Sequence, residues 1–396
     1  MRNPNVDKIP VSCWRRLESL LNDIPAPTNV DPIQLHIGDP QHAIPDFMIE
    51  HIVANTDQFL SYAPIMGTPN LRREIVGWLN RRYHLDSDFL DPEQHCMPVC
   101  GLREAMYLIG TIVIPQTKGG TTPLVAIPDP FYHAYVGAAT SLGAEPLLMP
   151  ATKATGFLPN LNSLEESTLA RLTAFYLCTP SNPQGIAADK SYFTKLIQLA
   201  REYDFTLLVD ECYADIYTKE PPLGILEICA QLGGSLQNVL TFHSLSKRSN
   251  VPGLRSGFVA GDPNHLRDFR VIRDSGGVAM PLPVQAASAA LWQDDLHADS
   301  SRQLYRPKFE AAERILGDRP NYYEPDGGMF LWLYVEDCEV VTRALWAEQG
   351  VRVLPGRYMS LVNQDNSSAG DRYIRVALVP DQTTTEEALT RIAKII

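Results

Sequence analysis

The chain has 396 residues, 45% of them hydrophobic and 20% charged, with a formal net charge of −12. That is the balance of an ordinary globular protein long enough for two domains, and its acidity argues against nucleic acid or anionic membranes as partners. No apolar run reaches the roughly 18 residues needed to span a bilayer, and Met1 to Pro10 carries no apolar signal core.

The seven cysteines are scattered. Cys96 and Cys100 form a CxxxC, but no second Cys or His pair follows at a zinc spacing, so no metal site is expected. Reduced thiols in a cytoplasmic protein are the simplest reading.

In chain order, Ile37-Gly38-Asp39-Pro40 comes first, followed by a helical pattern from Leu71 to Tyr83. Gly101-Leu102-Arg103 opens a second helix that runs through Tyr107, and backbone N–H groups at such a start favour an anion. Pro128-Asp129-Pro130-Phe131-Tyr132-His133-Ala134-Tyr135 is an aromatic stretch around a proline turn. Thr173 to Cys178 reads as a buried strand that enters the turn Thr179-Pro180-Ser181-Asn182-Pro183-Gln184-Gly185. A helix from Tyr192 to Tyr203 follows, with Phe193, Leu196, Ile197 and Ala200 on one face.

Phe205 to Val209 is the next strand and ends in Asp210-Glu211-Cys212-Tyr213; a further strand, Val239 to Phe242, leads to Lys247. Helical patterns recur at Val284 to Trp292, Pro307 to Leu316 and Glu386 to Ile395. Late strands fall at Met329 to Tyr334, Val351 to Leu354 and Tyr373 to Leu378. This alternation predicts a parallel α/β layout, in which ligands bind beyond the carboxyl ends of strands. Asn182, Asp210, Tyr213, Ser244 and Lys247 all stand just past predicted strand ends.

Lys247 carries the most information. In Ser244-Leu245-Ser246-Lys247-Arg248-Ser249-Asn250-Val251-Pro252-Gly253-Leu254-Arg255 it is flanked by small hydroxyl residues and followed by an arginine eight positions on. A lysine that forms a Schiff base with pyridoxal phosphate must be rigidly held and partly desolvated, and serine hydroxyls with an arginine suit a dianionic phosphate. Taken alone, such a segment favours the cofactor lysine over an exposed basic loop by roughly two to one.

Together, Ile37-Gly38-Asp39-Pro40, Tyr62 with Gly67 and Leu71-Arg72, Ser181 to Gly185, Asp210 to Tyr213, Ser246-Lys247 with Arg255, and Ile374-Arg375-Val376 resemble the class I/II aminotransferases, fold-type I enzymes that use pyridoxal 5′-phosphate. The resemblance runs from about Ile37 to Ala377. It implies an α/β fold with a large cofactor-binding domain, residues 46–295, around a mostly parallel sheet between helices. A smaller α+β domain would join residues 1–45 to 296–396. It also implies a homodimer with shared active sites.

The resemblance assigns roles residue by residue. Lys247 would hold the cofactor and act as proton carrier. Asp210 would face the pyridine nitrogen and keep it protonated. Asn182 and Tyr213 would bond the cofactor's 3′ oxygen, and Tyr132 would stack on its ring. Ser244, Arg255 and the Gly101-Leu102-Arg103 helix start would hold the phosphate, with Tyr62 reaching it from the neighbouring subunit. Arg375 would grip the substrate α-carboxylate through its two-pronged fork, and Gly38 would let the backbone approach the same group. His243 reads either as a site residue or as a packed histidine.

Within the family, Ser244 through Asp262 resembles the N-succinyldiaminopimelate aminotransferases, which exchange an amino group between glutamate and an N-succinylated keto acid. Both substrates have a carboxylate remote from the reacting carbon, so a second cation is expected, and Arg103 is the candidate. The loop Gly276 to Pro283, with Met280 at its centre, carries no arginine and is expected to leave room for an acyl chain. Other readings stay open: an aminotransferase for aspartate, alanine or aromatic amino acids, or a pyridoxal-phosphate-dependent carbon–sulfur lyase. A DNA-binding regulator is disfavoured, because no segment before Ile37 has the length or basic charge for it.

Overall fold

The computed structural model of the chain describes residues 2–362 and 365–396. At its centre lies a seven-stranded sheet: β1 (Cys96–Val99), β2 (Leu124–Asp129), β3 (Glu145–Pro150), β4 (Leu172–Cys178), β5 (Thr206–Asp210), β6 (Val239–Ser244) and β7 (Gly257–Gly261). Their order is β1-β7-β6-β5-β4-β2-β3. The pairs from β3 across to β6 are parallel, and β7 runs antiparallel to both its neighbours.

Every residue of β2, β4, β5 and β6 is buried. Helices cover both faces, which is why these strands read as unbroken apolar runs rather than as alternation. One face packs against Pro69–Tyr83, Lys190–Glu202 and Leu282–Gln293, through Ile75, Leu79, Phe193, Leu196 and Leu291. The other packs against Leu102–Leu108, His133–Ser141 and Pro263–Gly276, through Met106, Val136 and Phe269. The helix Lys190–Glu202 begins where Asp189 accepts a hydrogen bond from the Tyr192 N–H, an N-cap that satisfies one orphan donor.

A second core lies around three antiparallel strands, β8 (Phe330–Tyr334), β9 (Leu354–Pro355) and β10 (Tyr373–Ala377), with β10 in the middle. Leu331 and Val376 of the strands meet Phe309, Leu345 and Leu389 from the helices Leu296–Leu316, Cys338–Gln349 and Gln382–Ile392 in it. Ile33–Gln34 pairs in parallel with Val351–Arg352 and so ties the N-terminal segment to the C-terminal third.

Two expectations are corrected here. The helix expected from Pro307 begins at Leu296, with Pro307 inside it. Its first half buries Ala298, Ser301 and Tyr305, a stripe too small and polar to show as apolar periodicity. The single strand expected from Val351 to Leu354 is two short strands with different partners, split at Val353. Among the described residues, no helix is long and apolar enough to cross a membrane, and no group of three His, Cys, Asp or Glu side chains is placed to hold a metal ion.

Candidate active site

A cavity of about 1150 Å³ opens between the carboxyl ends of the sheet strands and the second core. Of the residues singled out in the sequence, Gly38, Leu102, Arg103, Tyr132, Asn182, Asp210, Tyr213, Ser244, Lys247, Arg255 and Arg375 line it. Gly101 lies directly behind Arg255, whereas Tyr62 is fully exposed and takes no part in the cavity wall of its own chain.

Lys247 sits in a short helix, Leu245–Arg248, at the end of β6. Its side chain is 15% exposed, and Nζ donates to the Gly38 carbonyl oxygen, with Asp39 Oδ1 3.9 Å away. Burial lowers its pKa below the ordinary lysine value, and the Arg375 and Arg255 charges act the same way. Gly38 itself is held tightly: a Cβ there would stand 2.4 Å from Phe330 Cζ.

Asp210 ends β5 and is 6% exposed. Its Oδ2 accepts a 2.8 Å hydrogen bond from the Tyr135 hydroxyl, and its Oδ1 one of 3.2 Å from the Cys212 N–H. Burial raises its pKa, and these donors pull it back towards the carboxylate form. Among the described residues, no cationic side chain forms an ion pair with it.

Asn182 is carried by the turn after β4, closed by a 2.7 Å hydrogen bond from the Gly185 N–H to the Ser181 carbonyl oxygen. Arg375 stands in β10, opposite Leu354 and Trp332, and is 4% exposed. Its Nη1 donates to Asn182 Oδ1 at 3.0 Å and its Nη2 to the His36 carbonyl oxygen at 2.7 Å. Nε is buried and has no acceptor, and no carboxylate pairs with this guanidinium among the described residues. A buried cation in this state is costly unless a ligand anion completes it.

Where the sequence expectation puts the phosphate, Ser244 Oγ accepts from the Ser246 N–H at 3.0 Å and donates to the Ser256 carbonyl oxygen at 3.1 Å. Arg255 has a left-handed backbone (φ 58°), and its Nη1 donates to the Pro252 carbonyl oxygen at 2.9 Å. Gly101 (φ 99°) permits this arrangement, since a Cβ there would lie 2.0 Å from Arg255 Nη2. Arg103 Nε donates to the Tyr132 hydroxyl at 2.7 Å, so the expected remote cation and the expected stacking ring form one unit.

Three readings of the sequence need adjustment. Tyr135, within the quoted aromatic stretch but given no role, holds Asp210. The loop around Met280 takes no part in this chain's cavity wall: Met280 is 4% exposed and packs in the core beside Ser288. His243 is packed rather than site-lining, 2.9 Å from Glu211 and edge-on to Trp78. The sequence reading also passed over the helix Cys13–Leu21, which brings Cys13, Trp14, Arg15 and Arg16 to the cavity. Its signal was Trp14, Leu17 and Leu21 at 3,4 spacing.

Residues 30–392 match the model of the family "Aminotransferase class I and II", and the chain belongs to that family. An LL-diaminopimelate aminotransferase of Oleidesulfovibrio alaskensis is 29% identical over 384 residues, which cover 93% of either chain. The 4-dedimethylamino-4-oxo-anhydrotetracycline transaminase OxyQ of Streptomyces rimosus is 31% identical over 365 residues, 91% of this chain and 92% of that one. The crystal structure of an aminotransferase from Neisseria meningitidis Z2491 superposes with a TM-score of 0.94 at 36% identity, covering 99% of both chains. The fold is accordingly that of the fold-type I aminotransferases, and the cofactor is pyridoxal phosphate.

The cavity fits that cofactor on its own chemistry. A buried carboxylate without a cationic partner suits a protonated ring nitrogen, a desolvated lysine suits an imine link, and Gly101 leaves the Arg255 guanidinium its place in a cavity wall that also carries Ser244 and Ser246.

Proposed function

We propose that the protein transfers an amino group between glutamate/2-oxoglutarate and N-succinyl-2-amino-6-ketopimelate/N-succinyl-LL-2,6-diaminopimelate, as a homodimeric cytoplasmic enzyme of lysine biosynthesis. The observation that carries the aminotransferase chemistry is the convergence on one cavity of Lys247 from the short helix after β6, Asp210 from the end of β5 and Arg375 from β10. The diaminopimelate direction is supported by the Ser244 to Asp262 segment, the 29% identical relative named for LL-diaminopimelate, and a cavity large enough for the cofactor and a long dicarboxylic substrate.

Pyridoxal phosphate, when bound, supplies an electron sink that acidifies the substrate α-carbon. The chain's own residues do the rest. Arg375 binds the substrate α-carboxylate, with Asn182 fixing one prong of its fork. Lys247 Nζ, favoured in its neutral form by burial, moves the proton at the α-carbon. Asp210 holds the ring nitrogen's proton, with Tyr135 fixing the carboxylate. Tyr213 and Asn182 serve the 3′ oxygen, Tyr132 the ring face, and Ser244, Arg255, Leu102 and Gly101 the phosphate. Tyr62, exposed on its own chain, completes the partner's site. Residues 46–295 form the large domain, and residues 1–45 with 296–396 the small one.

An acceptor panel tests the assignment. Glutamate-dependent turnover should be fastest with the succinylated keto acid and weaker with oxaloacetate, pyruvate and aromatic oxo acids. A preference for one of the latter would replace the diaminopimelate assignment with another aminotransferase. Product formation without any amino acceptor would point to a lyase.

A further inference from the structure

We propose that Arg16 is a specificity residue that binds the distal carboxylate of the dicarboxylic amino or oxo acid. The proposal rests on the aminotransferase reading above and adds a site on the N-terminal helix to it. Arg16 lies in the helix Cys13–Leu21 and lines the same cavity as Arg375 and Lys247.

Its placement is that of a prepared cation. The guanidinium carbon sits 4.0 Å from the centroid of the Tyr358 ring, so one face is held by the aromatic surface. Among the described residues its one protein hydrogen bond runs from Nη1 to the Arg357 carbonyl oxygen, at a long 3.3 Å. Among the described residues no carboxylate is within ion-pair reach of it. By contrast, Arg357 next to its acceptor pairs with Asp371 at 2.9 Å, and Arg343 of the neighbouring helix pairs with Asp23 at 3.1 Å. Arg16 is half-buried, and burial lowers its pKa; Tyr358 and the more distant Glu339 carboxylate act against that, but neither forms an ion pair with the guanidinium.

The same helix also touches the α-carboxylate arginine. The Trp14 ring lies 5.8 Å from the Arg375 guanidinium carbon, two residues before Arg16. A substrate whose α-carboxylate sits on Arg375 can extend along this helix, and a second carboxylate then meets the free edge of the Arg16 fork. Arg103, the cation expected from the sequence, is committed through Nε to the Tyr132 hydroxyl instead.

The test compares the amino-donor half-reaction of the holoenzyme for glutamate and for norvaline, which has a similar side chain without the distal carboxylate. Wild type, Arg16→Met, Arg16→Lys and Arg103→Met are measured. The Met replacement keeps the stem over Tyr358 and removes the charge. Arg16→Met should lower the glutamate-to-norvaline ratio of kcat/KM roughly 10- to 100-fold, the size of a charge-assisted pair of hydrogen bonds, and Arg16→Lys should restore part of it.

An unchanged ratio in Arg16→Met, or a ratio lost only in Arg103→Met, would overturn the proposal. So would a wild type that does not distinguish the two donors. A wild type that reacts with neither donor would overturn the aminotransferase reading as well, which separates the two failures.

Discussion

The Tyr135 hydroxyl donates a 2.8 Å hydrogen bond to Asp210 Oδ2, and its ring stacks on Tyr176 at a centroid distance of 4.5 Å and an interplanar angle of 13°. Both tyrosines are fully buried. Tyr176 is in turn fixed by a 2.7 Å hydrogen bond from its hydroxyl to the Met106 carbonyl oxygen. The carboxylate proposed to face the cofactor is therefore positioned through two layers of packed aromatic side chains.

Removing the Tyr135 hydroxyl leaves Asp210 with the Cys212 N–H and the weak thiol donor of the same residue. Tyr135→Phe should weaken cofactor binding by the apoenzyme about 10-fold, as expected for one buried bond to a charged group. Fluorescence titration of the apoenzyme with pyridoxal phosphate measures this, and unaltered affinity would show that Tyr135 merely packs.

Lys247→Ala should lower turnover by roughly 10³-fold or more, since the proposed covalent anchor and proton carrier are both lost. Its thermal unfolding should stay close to wild type, because the residue is a partly exposed cavity-wall side chain and not core. Steady-state assay and differential scanning fluorimetry on the same preparation check both halves.

Arg375→Lys keeps a charge but loses the planar fork that spans Asn182 and the His36 carbonyl oxygen. kcat/KM should fall roughly 10- to 100-fold for every amino acid donor alike, dicarboxylic or not. A loss confined to dicarboxylic donors would move the α-carboxylate site elsewhere.

His36, His42 and His133 all have pKa values pulled down to about 4, chiefly by burial. The native state holds them neutral, whereas the unfolded chain binds a proton at each below about 6.5. Stability should then be complete above that pH and fall as the pH drops from about 6.5 towards 4. Urea midpoints across this range test the sign. A midpoint that rises on acidification would contradict it.

Much of the site was legible in the sequence because its residues follow strands. Asp210 and Lys247 come after runs so apolar that their strand character is plain, and Asn182 stands in a turn dense in proline and glycine. What stayed hidden depended on long-range pairing. Arg375 meets Asn182 across 193 positions of chain, and Lys247 meets Gly38 across 209.

Other misses have local causes. β2 carries Pro128 near its end, and β7 is bounded by Gly257 and Gly261, so neither has the composition of an ordinary strand. The Met280 loop reads as spacious because glycine and proline dominate it, yet the core takes up its Met280 side chain while Val278 stays exposed. The helix Cys13–Leu21 was readable from its period, but nothing local placed it against a cavity whose lining residues after this helix are spread from Ile37 to Arg375.

The central claim is tested most directly by a single-turnover absorbance experiment on the purified holoenzyme. The cofactor band should disappear on mixing with glutamate alone and return on adding N-succinyl-2-amino-6-ketopimelate. A band that glutamate leaves unchanged, or that the succinylated keto acid fails to restore, would contradict the account.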